Sequence, residues 1–149
     1  SKDCLIMRVY FAGSIRGEAP DREWFQDLIK HISKTDTVLT EHSFDFTYEE
    51  EIKKNDAQIW ETDIGWLQGA DALIGEITAP SLGVGYEIGK AEEWGKPILL
   101  LWKNDFKKKP SAMLSGSSFL KLVKYDEKEE ALGAIDEFLK MVRAQFLEP

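Results

Sequence analysis

The sequence predicts an α/β fold: a doubly wound, five-stranded parallel sheet in the strand order 2-1-3-4-5, with helices on both faces. Apolar runs of strand length alternate along the chain with segments of helical period. Two of the runs, DALIGEIT and PILLLW, are almost continuously apolar, which is typical of parallel strands buried on both faces. We expect the 149 residues to form a single domain (1–149).

The first half of the chain supplies two strands and two helices. LIMRVYFAG (5–13) is the first strand, and PDREWFQDLIKHI (20–32) is the first helix, with Pro20 suited to its first turn. One stripe of that helix is apolar: Trp24, Phe25, Leu28, Ile29 and Ile32. TVLT (37–40) is a short second strand, and residues 50–70 have a helical period after a polar, acidic segment.

The second half supplies three strands and two helices. DALIGEIT (71–78) and PILLLW (97–102) are the third and fourth strands, and FLKLVKYD (119–126) is the fifth. Between the third and fourth lies the glycine-rich TAPSLGVGYEIGKAEEWG (78–95), which is expected to become helical near Val84 or Gly85. The last predicted helix, 129–146, is amphipathic. Its apolar face, which is expected to pack on the sheet, consists of Leu132, Ile135, Phe138, Leu139 and Val142.

Composition excludes several classes of function. With 27 acidic against 19 basic residues, the net charge of -8 argues against a protein that neutralises nucleic-acid phosphates along a basic face. One cysteine and two histidines cannot form a disulfide framework or a standard zinc cluster, and they favour a reducing compartment. No apolar run approaches membrane-spanning length and no signal-peptide pattern opens the chain, so we expect no membrane partner and a cytoplasmic or nuclear location.

Two loops rich in small residues are predicted to meet where the strand order reverses, between strands 1 and 3. They are FAGSIRG (11–17) and TAPSLGVG (78–85). Ligands bind at this point in doubly wound sheets, and backbone amides, Arg16 and the hydroxyls of Ser14 and Ser81 suit a phosphate. The alternative for either loop alone is that its glycines only make tight turns: Gly13, Gly17, Gly83 and Gly85.

A dinucleotide fingerprint is the weaker interpretation of these glycines. Such a fingerprint follows the first strand, with an acidic residue about 20 positions further on. The G-x-G here follows the third strand, and Gly89 falls inside the predicted helix. A single phosphate is therefore favoured over a pyrophosphate.

Three side chains near this crevice are candidates for chemistry. Glu87 is predicted in the first helical turn, where free amides and the helix dipole favour a carboxylate; the alternative is a solvated glutamate complementing that dipole. Asp63 falls on an apolar helical face with Ile59, Trp60 and Leu67, unless it caps a separate helix starting at Ile64. Tyr10 could bond a carboxylate in the crevice or simply fill the core.

Between Tyr10 and Asp126 the chain carries, in order, YFAGSIRG (10–17), TVLTEH (37–42), DIGWLQGAD (63–71), PSLGVGYEIGKA (80–91) and PSAM (110–113). Together these segments resemble the 2'-deoxynucleoside 5'-monophosphate N-glycosidases, the Rcl group of the nucleoside deoxyribosyltransferase superfamily. The combination of SLGVGYE with SIRG is much more specific than either motif alone.

The resemblance implies a role for each candidate. Glu87 matches the nucleophile that attacks the anomeric carbon, Asp63 the aspartate that positions the sugar, and Tyr10 the tyrosine that orients the nucleophile. His42 matches a residue near the base. Phosphate and substrate contacts are implied for Gly13, Ser14, Ile15, Arg16, Gly17, Ser81 and Gly83, and for Ser111, Ala112 and Met113.

The same resemblance implies that Ser111 reaches the phosphate across an obligate homodimer interface, and that no metal or organic cofactor is needed. Two other functions stay open: a deoxyribosyltransferase that moves the sugar between free bases, and a non-catalytic nucleotide-binding module. The base preference is also open, because EAPDREW and FDFTYEEEIKK, which flank the expected base pocket, differ from the versions typical of the animal enzymes.

Overall fold

A computed structural model describes residues 5–14, 19–40 and 54–148, with side chains from residue 22 onward in the second of these ranges. These residues form an all-parallel, five-stranded sheet. Its strands are β1 (Arg8–Gly13), β2 (Thr37–Leu39), β3 (Ala72–Glu76), β4 (Ile98–Lys103) and β5 (Lys121–Tyr125). Their order is β2-β1-β3-β4-β5, which confirms the predicted fold.

Helices connect the strands on both sides of the sheet. Within the described ranges they are α1 (Ala19–Ser33), α2 (Asp56–Gln68), α3 (Leu82–Glu93), α4 (Ala112–Ser115) and α5 (Lys128–Phe146). The sequence did not predict the four-residue α4. None of the helices in the described part of the chain is long and apolar enough to span a membrane.

α2 begins later than its helical period suggested. The side chain of Asn55 accepts a hydrogen bond from the amide of Gln58 at 2.8 Å, and the Gln58 side chain accepts one from the Asn55 amide at 3.0 Å. This reciprocal pair satisfies two amides that would otherwise lack partners at the helix start. The helix therefore starts at Asp56.

Two apolar cores cover the two faces of the sheet. On one face α1 and α5 pack on the strands through residues such as Phe25 and Phe138, and on the other α2 and α3 pack through Leu67 and Ile88. The predicted inward stripes of α1 and α5 lie in the first core, with Leu132 only partly buried. Because side chains alternate along a strand, Tyr10 lies in the second core.

A buried ion pair ties α5 to the start of the sheet. The carboxylate of Asp36 accepts hydrogen bonds from Nη2 of Arg143 at 2.6 and 2.7 Å and from the amide of Met7 at 2.8 Å. Thr35 donates to the same carboxylate at 2.8 Å, and Arg143 also donates to the carbonyl of Leu5 at 3.1 Å. Removing either partner of such a pair is costly because it leaves the other charge without its partner.

Candidate active site

The strand order reverses between β1 and β3, and the predicted crevice lies at their carboxyl ends. The last residues of the two strands, Gly13 and Glu76, are paired in the register. Ser14 follows directly and is partly buried. The chain segments that leave β1 and β3 therefore start side by side.

Gly13 has a packing reason to be glycine. A Cβ built on it would lie 2.9 Å from Cε2 of Phe25, a separation that real Cβ contacts essentially never show. α1 thus approaches the end of β1 closely, and a larger residue would push Phe25 away. The substrate contact assigned to Gly13 remains a prediction.

α3 begins earlier than predicted, at Leu82 instead of Val84 or Gly85. Ser81 is its N-cap: the hydroxyl oxygen accepts from the amide of Val84 at 3.2 Å. Glu87 is consequently the sixth residue of the helix and lies in its second turn. The prediction of a first-turn Glu87 is wrong, and because the dipole effect fades beyond the first turn, it contributes little there.

Gly83 and Gly85 do not form tight turns, because both lie within α3 and neither has a positive φ. In the described part of the chain, a Cβ built on Gly85 meets nothing within 4 Å, and one on Gly83 meets only the Ser81 hydroxyl at 3.9 Å. The first turn of α3 therefore exposes bare backbone. Ser81 can still donate its hydroxyl hydrogen to a ligand, and its phosphate role stays a prediction.

Tyr10 and Glu87 are brought together. The hydroxyl of Tyr10, on β1, donates a hydrogen bond to Oε2 of Glu87 on α3. Glu87 is partly buried and shares the inner face of its helix with the buried Val84, Ile88 and Ala91. A hydroxyl donor favours the ionised carboxylate, so the support that the helix dipole was expected to give comes from Tyr10.

The hydrogen bond lies inside the crevice rather than at its rim. Glu87 is five residues beyond Leu82, which places it about 7.5 Å along the helix axis. Tyr10 is three residues before Gly13, the last residue of β1, or about 10 Å back along the strand. Because α3 connects the parallel strands β3 and β4, it runs back along the sheet and brings the two side chains to the same depth.

Asp63 lies in the middle of α2, so the alternative that it caps a separate helix is wrong. Asp63 is partly buried, and its Oδ1 atom is shielded from solvent. The apolar face predicted around it is only partly correct, since Leu67 is buried but Trp60 is exposed. The indole N–H of Trp60 donates to the hydroxyl of Tyr86 at 3.3 Å, which links α2 to α3 next to Glu87.

Ser111, Ala112 and Met113 are all exposed at the start of α4. The Ser111 hydroxyl accepts from the amide of Met113 at 3.2 Å and caps this short helix. The Met113 side chain is 83% exposed, which is unusual for a large apolar residue. Ile15, Arg16, Gly17 and His42 lie outside the described residues, so their roles stay predictions.

Sequence reasoning missed a buried carboxylate beside the crevice. Glu76 is 3% exposed; it accepts from the amide of Thr78 at 2.7 Å and from the hydroxyl of Tyr125. Burial, followed by the nearby Glu76 charge, raises the pKa of Tyr125 well above its usual value, so this phenol stays protonated. The available signal was the glutamate inside the apolar stretch ALIGEI (72–77).

A metal centre finds no support in the part of the chain that the structure describes. No group of three or more His, Cys, Asp or Glu residues there could hold an ion. The crevice instead offers a carboxylate, a phenol and exposed backbone amides. Such a set can bind an anion and present a nucleophile to a carbon atom held beside it.

Residues 9–134 match the model of the family described as nucleoside 2-deoxyribosyltransferase. Among curated proteins, the chain is similar to 5-hydroxymethyl-dUMP N-hydrolases of three vertebrates. The Rattus norvegicus protein is 43% identical over 113 residues, covering 74% of this chain and 69% of that one. The Danio rerio protein is 40% identical over 126 residues (83% and 88%), and the Esox lucius protein is 38% identical over 141 residues (90% and 97%).

Two solved structures share the fold at low sequence identity. A CMP N-glycosidase of Clostridium botulinum aligns with a TM-score of 0.64 at 23% identity, covering 87% of this chain and 98% of that one. A 2-deoxyribosyltransferase of Bacillus psychrosaccharolyticus aligns with a TM-score of 0.60 at 15% identity, covering 84% and 90%. Both agree with the observed sheet and helix arrangement.

Proposed function

We propose that this chain, which belongs to the nucleoside 2-deoxyribosyltransferase family, hydrolyses the N-glycosidic bond of 2'-deoxynucleoside 5'-monophosphates to free base and 2-deoxyribose 5-phosphate. The observation that carries the proposal is the hydrogen bond from Tyr10 to Glu87 inside the crevice. The relatives named 5-hydroxymethyl-dUMP N-hydrolases support a nucleotide substrate. Their name makes 5-hydroxymethyl-dUMP the first substrate to test.

Glu87 is the nucleophile of this reaction. One of its carboxylate oxygens attacks C1' of the deoxyribose, and the bond from C1' to the base nitrogen breaks with its electron pair leaving on the base. Water then hydrolyses the glycosyl ester and restores the carboxylate. Tyr10 orients Glu87, and Asp63 positions the sugar and assists departure of the base.

The 5'-phosphate is held at the start of α3 and in the loop after β1. The exposed amide of Gly83 and the Ser81 hydroxyl provide donors on one side, and Gly85, whose amide is bonded to the carbonyl of Ser81, leaves space for the phosphate to approach. Arg16 is assigned to the other side as a fixed positive charge. Binding energy from the phosphate, which does not react, holds C1' in line with Glu87.

The geometry disfavours a non-catalytic binding module. In such a module we would expect the Glu87 carboxylate to point into solvent, whereas it is partly buried and accepts a hydrogen bond from Tyr10. The transferase alternative uses the same nucleophile, and it differs in the acceptor of the sugar and in acting on unphosphorylated nucleosides.

One assay separates these functions. The protein is incubated with 5-hydroxymethyl-dUMP and with each common deoxynucleoside 5'-monophosphate, with and without a second free base. We expect release of base and 2-deoxyribose 5-phosphate in the absence of an acceptor base, and slower turnover of the matching nucleosides. Exchange that requires the second base would favour the transferase, and preference for nucleosides would contradict the phosphate site.

The proposed enzyme is a homodimer in which Ser111 of one chain completes the site of the other. Exposed apolar side chains support a contact between copies. Leu82 is 96% exposed one helical turn before the exposed Tyr86, and Tyr86 is bonded to the exposed Trp60. Large apolar groups clustered on a surface are typical of protein interfaces.

Complementation between two inactive variants tests the shared site. When Glu87→Ala and Ser111→Ala chains are co-expressed, random pairing gives heterodimers with one intact site each, so about a quarter of all sites should be active. Base release by the mixture should exceed that of either variant alone. Co-expression of Glu87→Ala with Tyr10→Phe is the control. Glu87 and Tyr10 of each site come from the same chain, so pairing these two variants restores no intact site. If base release rises in neither mixture, the result would contradict a site shared between chains.

A further inference from the structure

Glu76 forms a buried hydrogen-bonded relay that the proposed reaction does not use. One carboxylate oxygen accepts from the amide of Thr78 at 2.7 Å, and the other accepts from the hydroxyl of Tyr125. The oxygen of Tyr125 in turn accepts from the indole N–H of Trp24 at 2.9 Å. The relay therefore joins the end of β3 to β5 and to α1.

A carboxylate at 3% exposure is costly unless its oxygens are hydrogen-bonded. On the sheet face that packs against α1 and α5, apolar residues such as Ile74 and Leu101 fill the neighbouring inward positions. Glu76 is therefore the exception in an otherwise apolar layer. Buried polar groups of this kind fix one arrangement of the chain when all their bonds are satisfied.

The relay holds the connection between β3 and α3. This connection starts at Ile77, whose amide donates to the carbonyl of Leu101 at 2.9 Å. The hydroxyl of Thr78 accepts from the amide of Lys103 at 2.9 Å. Three residues after Thr78 the chain reaches Ser81, the cap of α3. The position of Thr78 thus determines where the helix carrying Glu87 begins.

We propose that Glu76 is a positioning residue for the glycosidase reaction, an inference that rests on the proposed function. By holding Thr78, it fixes the start of α3, so that Ser81 faces the crevice and Glu87 meets Tyr10. Glu76 lies on the sheet face opposite to Glu87 and acts through the backbone of this connection.

Glu76→Leu tests the inference because leucine fills a similar space in the apolar layer but offers no acceptor oxygen. The amide of Thr78 and the hydroxyl of Tyr125 then both lose the acceptor that Glu76 provides. We expect kcat/KM to fall by about 10- to 100-fold, as for loss of a hydrogen bond to a charged group. Hydrogen exchange at the Thr78 amide should become faster. Glu92→Leu is the matched control, since Glu92 is a carboxylate on α3 that accepts from the hydroxyl of Ser117; its effect should stay within about twofold.

A double-mutant cycle with Tyr125→Phe checks that the relay acts as a unit. Because Glu76→Leu already removes the acceptor of the Tyr125 hydroxyl, the double variant should be little worse than Glu76→Leu alone. All variants are assayed at a temperature where circular dichroism shows them folded. A folded Glu76→Leu protein with wild-type kcat/KM, or fully additive losses in the cycle, would overturn the inference. An inactive wild-type protein would instead overturn the proposed function, and exchange at Thr78 would still test the anchoring.

Discussion

Replacing Glu87 by glutamine is expected to lower kcat for base release by at least about a thousandfold. Glutamine fills the same space and can still accept from the Tyr10 hydroxyl, but its amide oxygen cannot form a stable ester with C1'. Acid-quenched wild-type enzyme should carry a deoxyribosyl phosphate group on the peptide containing Glu87. Mass spectrometry should find no such adduct on the variant.

Two further variants make this result specific. Glu93→Gln alters an exposed carboxylate on the same helix and should leave kcat unchanged. Tyr10→Phe removes only the hydroxyl donor and should lower kcat/KM by about 10- to 100-fold. This loss is larger than that of Glu93→Gln and smaller than that of Glu87→Gln. Glu87→Gln with undiminished turnover, or an adduct on another residue, would contradict the nucleophile assignment.

Replacing Asp36 by alanine is expected to destabilise the protein by about 3–5 kcal/mol. The change removes the acceptor for Arg143 and for the Met7 amide, and both donors lie where α5 meets the sheet. The partly buried guanidinium of Arg143 is then left without its carboxylate. Urea unfolding followed by circular dichroism measures the loss as a lower midpoint with a similar slope.

The control for this prediction is a second polar contact that reaches α5. Asp136 bonds His31 at 2.7 Å, but its side chain is 66% exposed. Surface pairs of this kind contribute about 0–1 kcal/mol, so Asp136→Ala should change the unfolding free energy little. Equal losses of unfolding free energy in the two variants would contradict the idea that burial makes the loss of the Asp36 pair costly.

The parallel sheet with helices on both faces was predictable because its central strands are continuous apolar runs between segments of helical period. The start of α3 was not predicted correctly. Glycine is a poor helix former, so Gly83 and Gly85 suggested a loop. The stronger local signal was Ser81, since a serine hydroxyl satisfies the first amides of a helix and marks where it starts.

Interactions between distant parts of the chain were harder to predict. Asp36 and Arg143 are separated by 107 residues, and nothing in their local patterns pairs them. Glu76 stands in a strand, but its partners come from β5 and from the connection it holds. The residues alone left open whether Tyr10 bonds a carboxylate in the crevice or fills the core, and only the resemblance named Glu87 as its partner. Single-sequence periodicity does not show which strand faces which helix.

Under the proposed assignment, the second-turn position of Glu87 makes α3 a rigid spacer between the phosphate and the nucleophile. The phosphate end of the substrate meets the start of the helix, and the sugar carbon meets the carboxylate, about 7.5 Å beyond Leu82 along the axis. A loop could stretch to fit ligands of several lengths, but a helix cannot. Adding or removing one residue between Ser81 and Glu87 would also rotate the carboxylate by about 100° and turn it away from Tyr10. Under that assignment, the fixed helical distance selects substrates whose phosphate and C1' are separated by a matching length.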